Sequence, residues 1–129
     1  RLGLGAESVA KIEQVRAAGL KSLEILKTAG VRMAFGTDLL GASHDLQSEE
    51  FLIRAQVQSN LEVLQSATLI GAELLNQVGV IGEIAAGARA DLLLVDGNPL
   101  ADLACLTGQG ERIPLVMQGG KLRVNELRA

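Results

Sequence analysis

Aromatic side chains are nearly absent from this sequence of 129 residues, which contains two phenylalanines, Phe35 and Phe51, and no tryptophan or tyrosine. Proteins that bind single-stranded nucleic acid stack the bases on aromatic rings, and such rings are scarce here. The net charge of -3 also provides no basic surface that could neutralise phosphates. We therefore expect no nucleic-acid partner, and a small molecule fits this composition better.

Cysteine is scarce as well, since Cys105 is the only one in the chain. No disulfide can form within the chain, so a reducing compartment, the cytoplasm, is the expected location. Cys105 itself is interpreted as a small apolar residue of the core. No apolar run approaches the roughly 18 residues of a membrane span, so no membrane partner is expected.

Histidine is limited to His44, which excludes a complete zinc site within the chain. Zinc needs three or four protein ligands, and the sequence has no pair of histidines or cysteines at ligand spacing. His44 lies in a loop predicted at 39–47, where it is a candidate for substrate binding; the alternative is an exposed loop residue. The acidic residues Asp45, Glu49 and Glu50 are interpreted as the solvated start of a helix.

Apolar residues, in contrast, make up 48% of the chain, against 21% charged residues. This composition provides enough apolar surface to offset the entropy lost on folding, and the length fits one domain or a large part of one. Ser59 and Glu62 form the pattern of a capping box at a helix start, and Gly30 is typical of a helix end. Apolar residues at helical spacing predict helices at 8–29, between the loop and about residue 58, and at 59–79.

Short apolar segments predict β-strands in two parts of the chain. A single strand is expected at 31–38, between helices, in the rhythm of an α/β unit. After Gly79 the chain is punctuated by glycine, with turn signals at 96–99 and 118–121, the second typical of a hairpin. We therefore predict an α/β part before residue 79 and a small β part after it, with strands at 80–84, 90–95, 113–117 and 121–124.

The predicted strand at 31–38 ends in the chemically most informative segment, Phe35-Gly36-Thr37-Asp38. In parallel α/β folds, ligands bind at the carboxyl ends of the strands. Gly36 lets the backbone approach a ligand closely, Thr37 can orient its neighbour, and Asp38 can bind a metal or accept a proton from water. The alternative is that Asp38 only caps the turn that follows.

Three segments, in their order and spacing, resemble the amidohydrolase superfamily. They are Ala-Gly-Val-Arg-Met-Ala-Phe-Gly-Thr-Asp at 29–38, Ser-Ala-Thr-Leu-Ile-Gly-Ala-Glu-Leu-Leu at 66–75 and Gly-Glu-Ile-Ala-Ala-Gly-Ala-Arg-Ala-Asp-Leu-Leu-Leu-Val-Asp-Gly-Asn-Pro-Leu at 82–100. The branch they resemble holds imidazolonepropionase-like and Xaa-Pro dipeptidase-like metal-dependent hydrolases. The resemblance implies an α/β fold, the C-terminal part of a (β/α)8 TIM barrel with a small β-sandwich segment. Residues 1–79 would be the last barrel helices and the eighth strand, and residues 80–129 the sandwich segment.

The resemblance also implies a chemistry. In similar families the aspartate that closes the eighth strand binds a divalent metal, here expected to be zinc, and exchanges the proton of the attacking water. This role carries over to Asp38 because its Gly-Thr-Asp context matches. The implied reaction of the complete enzyme is hydrolysis of a carbon-nitrogen bond in a small amide, cyclic amide or dipeptide-like substrate.

Several family features have no counterpart in this chain. The His-x-His of the first strand, the bridging lysine or glutamate and the later histidines are missing, and a barrel needs about 250 residues. The chain by itself is therefore expected to be inactive and to bind no metal tightly. The site needs a longer protein, a second chain or further copies of this one, and a homo-oligomer is expected. The alternative function is a non-catalytic structural module that self-associates through the apolar edge at 31–35.

Overall fold

A long helix opens the part of the chain that the structure, a computed structural model, describes, namely residues 6–127. Helices fill the first half and a three-stranded sheet lies in the second. The α-helices are α1 (Ala6–Thr28), α2 (Glu50–Arg54), α3 (Asn60–Ala67) and α4 (Leu69–Leu74), and the strands are β1 (Leu92–Leu94), β2 (Leu115–Gln118) and β3 (Lys121–Asn125). Short 3-10 helices span Gly41–Glu49, Leu103–Leu106 and Gly108–Gly110. Within residues 6–127, no helix combines the length and apolar character needed to cross a membrane.

The end of α1 follows the predicted glycine signal. Gly30 has a φ of 69°, in the left-handed region that glycine enters without a steric penalty. Its amide donates to the Lys27 carbonyl at 3.0 Å, and the Val31 amide donates to the Leu26 carbonyl at 3.0 Å. These two bonds are the Schellman pattern, which satisfies carbonyls that the helix itself leaves free. The prediction that the helix ends at Gly30 is confirmed.

The strand predicted at 31–38 is not formed within the described chain, where residues 31–40 have neither helical nor strand structure. One backbone hydrogen bond links this segment to a distant element, since the Phe35 amide donates to the Ser66 carbonyl of α3 at 3.0 Å. A strand exists through hydrogen bonds to neighbouring strands, and the three strands present pair with one another in the order β1-β2-β3. The predicted strand is therefore absent from residues 6–127, because the described chain provides no neighbouring strand with which this segment could pair.

The predicted helix boundaries between 39 and 79 also need correction. The segment predicted as a loop is the 3-10 helix Gly41–Glu49, and the following α-helix ends at Arg54. The helix predicted at 59–79 is broken at Thr68, whose φ of -123° and ψ of -90° are not helical. The cause is tertiary, since Gly82 packs against this break so closely that a Cβ there would lie 2.6 Å from the Thr68 carbonyl oxygen.

The capping box at the start of α3 is confirmed. The Ser59 amide donates to Glu62 Oε2 at 2.6 Å, and the Glu62 amide donates to Ser59 Oγ at 3.3 Å. Lys27 of α1 forms an ion pair with the same carboxylate, with 2.9 Å between Nζ and Oε2. The Lys27 ammonium, followed by the Ser59 amide and hydroxyl, lowers the pKa of Glu62 from 4.5 to about 2. Glu62 thus caps one helix and fastens it to another.

Of the strands predicted after residue 79, three are present and the one at 80–84 is replaced by turns. β1 pairs antiparallel with β2, and β2 with β3. The hairpin predicted at 118–121 is confirmed, with Gly119 and Gly120 at φ of 56° and 76°, the positive values that a two-residue turn of this hand requires. The described β part is a single sheet, and the second layer of a sandwich is not among residues 6–127.

The buried core lies between the helices and the β part. Its central residues are Val63 of α3 and, from the 3-10 helix at 103–106, Leu103, Cys105 and Leu106. Phe35 and four other partly buried apolar residues, Phe51, Ala55, Leu64 and Val95, pack against them. Cys105 is 1% exposed, which confirms it as a core residue. The segment that leads to Asp38 is therefore attached to the core through Phe35.

Gly82→Ala should destabilise the fold by about 1–3 kcal/mol, because the new methyl group would overlap the Thr68 carbonyl and the residue has a φ of 81°. Urea denaturation measures the loss. Gly19→Ala in α1 is the matched control, since a Cβ there meets nothing within 4 Å, and it should be neutral or slightly stabilising. Equal stability of the Gly82→Ala variant and the wild type would contradict the packing at Thr68.

Glu62→Gln should lower the free energy of unfolding by less than about 1 kcal/mol at pH 7, because its ion pair with Lys27 is partly exposed to water. Since folding lowers the pKa of Glu62 from 4.5 to about 2, the stabilisation is fully present above pH 4.5 and disappears as the pH falls towards 2. Denaturation at several pH values should show the gap between wild type and variant narrowing below pH 4.5. If the difference in free energy of unfolding between wild type and Glu62→Gln did not depend on pH, the stabilising role of the Glu62 carboxylate would be refuted. An equal difference for Glu24→Gln in the exposed Lys21–Glu24 pair would refute it as well.

Candidate active site around Asp38

Asp38 lies between the segment that packs on the core and the 3-10 helix Gly41–Glu49. Its side chain is exposed, and its backbone has a φ of 51°, a left-handed conformation that non-glycine residues adopt only infrequently. Such a conformation costs about 1 kcal/mol and persists where neighbouring structure imposes it. The 3-10 helix that follows begins at Gly41, and its N-cap residue Leu40 forms no side-chain cap.

Two side chains of α2 hold the residues just before Asp38. Arg54 Nη2 donates to the Ala34 carbonyl at 2.9 Å, and the guanidinium carbon lies 5.3 Å from the centre of the Phe35 ring. Glu50 Oε1 accepts a hydrogen bond from the Gly36 amide at 3.4 Å. The backbone of residues 34–36 is thus bound by the guanidinium of Arg54 and by the carboxylate of Glu50, which lies one turn earlier in α2.

Arg54 and Glu50 also bind each other. Arg54 Nε lies 2.6 Å from Glu50 Oε1, and the two side chains are 9% and 14% exposed. Glu50 lies at a helix start as predicted, since α2 begins there, but the prediction that it is solvated was wrong, because its carboxylate turns inward to the guanidinium and to the Gly36 amide. The spacing of Glu50 and Arg54, four residues apart on a helix, is the signal in the sequence that could have indicated the pair.

A groove of about 330 Å³ lies beside this pair. Its walls are mainly apolar side chains of α1 and of the segments around residues 39, 46 and 53, while Thr37, Glu50 and Arg54 provide its polar part. Asp38 and His44 are not among the residues that line it. The groove therefore lies next to the candidate catalytic residue without containing it.

His44 lies on the 3-10 helix Gly41–Glu49, and its side chain is exposed. Asp45 next to it is exposed as well. Within residues 6–127 no hydrogen bond links His44 to Asp38, although the two predicted site residues are near each other in sequence. A role for His44 in substrate binding stays a prediction.

The metal that the family resemblance implies can be tested against the side chains present. Within the described part of the chain, no group of three or more histidine, cysteine, aspartate or glutamate side chains could hold a metal ion. The exposed Asp38 carboxylate suits divalent metals as a single oxygen ligand. Within residues 6–127, Asp38 could therefore contribute a single ligand, and a metal site would need further ligands from elsewhere.

Comparison with known proteins extends this picture. A solved prolidase in complex with N-methylphosphonate-L-proline matches 95% of this chain with a TM-score of 0.86 and 50% identity, over 30% of its own length. A Xaa-Pro dipeptidase with methionine bound in the active site matches 82% of this chain with a TM-score of 0.74 and 31% identity, over 25% of its own length. Ochratoxinase from Aspergillus niger is 28% identical over 121 residues, which make up 93% of this chain and 25% of that protein.

The chain thus spans about a quarter of the length of the curated relative it matches. The sequence profile of the amidohydrolase family matches residues 3–122, which is nearly the whole chain. These matches include the segment that ends in Asp38 and most of the β part. From its sequence, this chain belongs to the amidohydrolase family.

Proposed function

We propose that the protein containing this chain hydrolyses a carbon-nitrogen bond in a small amide or dipeptide-like substrate, with Asp38 as metal ligand and proton carrier. The observation that carries the proposal is the exposed Asp38 carboxylate at the end of a Gly-Thr-Asp segment held by buried charges, in a chain of the amidohydrolase family. The 50% identity to a prolidase supports this reaction class.

The ligands of the solved relatives favour a dipeptide-like substrate. The prolidase was crystallised with a phosphonate derivative of proline, and the dipeptidase contains methionine in its active site. Both ligands are small amino-acid derivatives. We therefore place the substrate of this protein among short peptides or acylated amino acids, with His44 as a candidate contact.

The proposed parent fold is a TIM barrel with a β-sandwich. Residues 1–79 would provide its last helices and its eighth strand, at 31–38, and residues 80–129 a part of the sandwich. The match to the prolidase over 30% of that protein's length supports a larger parent, and so do exposed apolar side chains such as Val31, which is 48% exposed. In the barrel, neighbouring strands would supply the hydrogen bonds that 31–38 lacks here.

In the proposed reaction, water adds to the carbonyl carbon and the bond from carbon to nitrogen breaks. A divalent metal, with zinc as the candidate and Asp38 as one of its ligands, would supply Lewis acidity for the water and the carbonyl. The Asp38 carboxylate accepts the proton that the water loses and donates it to the departing nitrogen, so that protons balance over the cycle. Thr37 and Gly36 set the direction of this carboxylate through the backbone.

Asp38→Asn in the enzyme produced at the length of its relatives should lower kcat/KM for dipeptide hydrolysis by about 10²–10⁴-fold, because the amide neither carries the proton nor binds a metal as a carboxylate does. Steady-state kinetics and metal analysis measure the two effects. Asp45→Asn is the matched control, since it removes the same charge from an exposed aspartate seven residues away. Retained activity in the Asp38→Asn enzyme would overturn the proposed role.

The isolated chain should be inactive and should self-associate, which is the second candidate function. Large apolar side chains are exposed, among them Leu40, Leu74 and Ile84 at 79%, 72% and 90%. Apolar surface of this kind promotes association between copies. Light scattering should show an apparent mass that rises with concentration, and dipeptide assays should show no turnover. A clean monomer at high concentration would exclude self-association.

A further inference from the structure

The burial of Arg54 calls for a physical reason. The residue is 7% exposed, although arginine is rarely buried this far unless its donors are satisfied. An apolar side chain of similar volume would fill the same place without the penalty of removing a charge from water. The role of the buried guanidinium therefore has to lie in its directional hydrogen bonds, which an apolar side chain cannot form.

Those hydrogen bonds converge on three consecutive residues. The guanidinium binds the Ala34 carbonyl and lies over the Phe35 ring, and its ion-pair partner Glu50 binds the Gly36 amide. The planar guanidinium can bind two acceptors in fixed directions, here Glu50 and the Ala34 carbonyl, which a point charge such as lysine does less well. The pair thus defines both the position and the orientation of residues 34–36.

We propose that the Arg54–Glu50 pair is a positioning device that fixes the Asp38 carboxylate for the reaction; this inference depends on the proposed role of Asp38. Asp38 follows the bound residues by two positions and has a left-handed φ of 51°. A backbone in that conformation relaxes to a more common one unless the chain before it is held. Arg54 and Glu50 bind residues 34–36, which precede Asp38 in the chain. They therefore act on the reaction through the position of Asp38 and touch no reacting atom.

These bonds do not satisfy the whole guanidinium. Arg54 Nη1 is buried and has no hydrogen-bond partner within residues 6–127. A buried unpaired donor is costly, so Nη1 adds to the penalty of burying this guanidinium.

Arg54→Met in the enzyme of full length tests the proposal. We expect kcat to fall by about 10- to 100-fold with KM within about threefold, because displacing a catalytic group by about 1 Å has an effect of this size. Amide hydrogen exchange at residues 35–38 should become at least tenfold faster, a change that a purely structural role elsewhere would not confine to this segment. Arg32→Met is the matched control, since Arg32 pairs with Glu73 at 2.6 Å and is 63% exposed. It should leave both measurements unchanged.

Arg54→Lys keeps the proposal testable if the methionine variant does not fold. Lysine retains the charge and cannot bind Glu50 and the Ala34 carbonyl in the fixed geometry of a guanidinium, so kcat should still fall by about tenfold. Guanidinium chloride at a few millimolar should restore part of the kcat of an Arg54→Ala enzyme, and sodium chloride at the same ionic strength should not. Full kcat in the lysine variant, or a lower kcat without faster exchange at 35–38, would overturn the positioning role.

The two proposals fail in different ways. If Asp38→Asn abolishes hydrolysis while folded Arg54→Met retains the kcat of the wild type, the role of Asp38 stands and the positioning role of Arg54 is refuted. If Asp38→Asn remains active, the proposed function itself is refuted. Faster exchange at 35–38 in Arg54→Met would then still show that the pair orders this segment, without a catalytic consequence.

Discussion

The buried pair between Arg54 and Glu50 determines where the residues before Asp38 lie, because two charges inside the protein have to satisfy each other and the nearest backbone groups. A guanidinium removed from water is destabilising unless its donors find acceptors, and here these are the Glu50 carboxylate and the Ala34 carbonyl. The same oxygen of Glu50 also accepts a hydrogen bond from the Gly36 amide. In the described chain this pair fixes the backbone of residues 34–36, which has no neighbouring strand to pair with.

The pair acts together with the core. Phe35 lies between the guanidinium and the apolar cluster of Val63, Leu103 and Cys105, and its ring is 4.6 Å from that of Phe51. Its amide donates to the Ser66 carbonyl of α3. Residues from the helices and from the β part therefore meet under the segment that leads to Asp38. A change in the packing of either part would reach the candidate site through Phe35.

Features that depend on a few neighbouring residues could be predicted from the sequence. The capping box at Ser59, the helix end at Gly30 and the hairpin at 118–121 were correct, because each is decided by side chains and backbone angles within four residues. The strand at 31–38 is not formed within residues 6–127, and the prediction of an unbroken helix at 59–79 was wrong. The first requires neighbouring strands, and the second is interrupted where Gly82 packs on Thr68.

The candidate site also has features that local sequence determines and features that depend on tertiary contacts. Taken alone, the sequence determined that the chain is an amidohydrolase relative and that Asp38 is its one catalytic candidate, because the Gly-Thr-Asp tripeptide and its spacing to later segments are local patterns. It did not show that Glu50 is largely shielded from water or that Arg54 binds residues 34–36. Only the tertiary structure decided this, since Arg54 and Ala34 are twenty positions apart and meet only when α2 packs against the segment before Asp38.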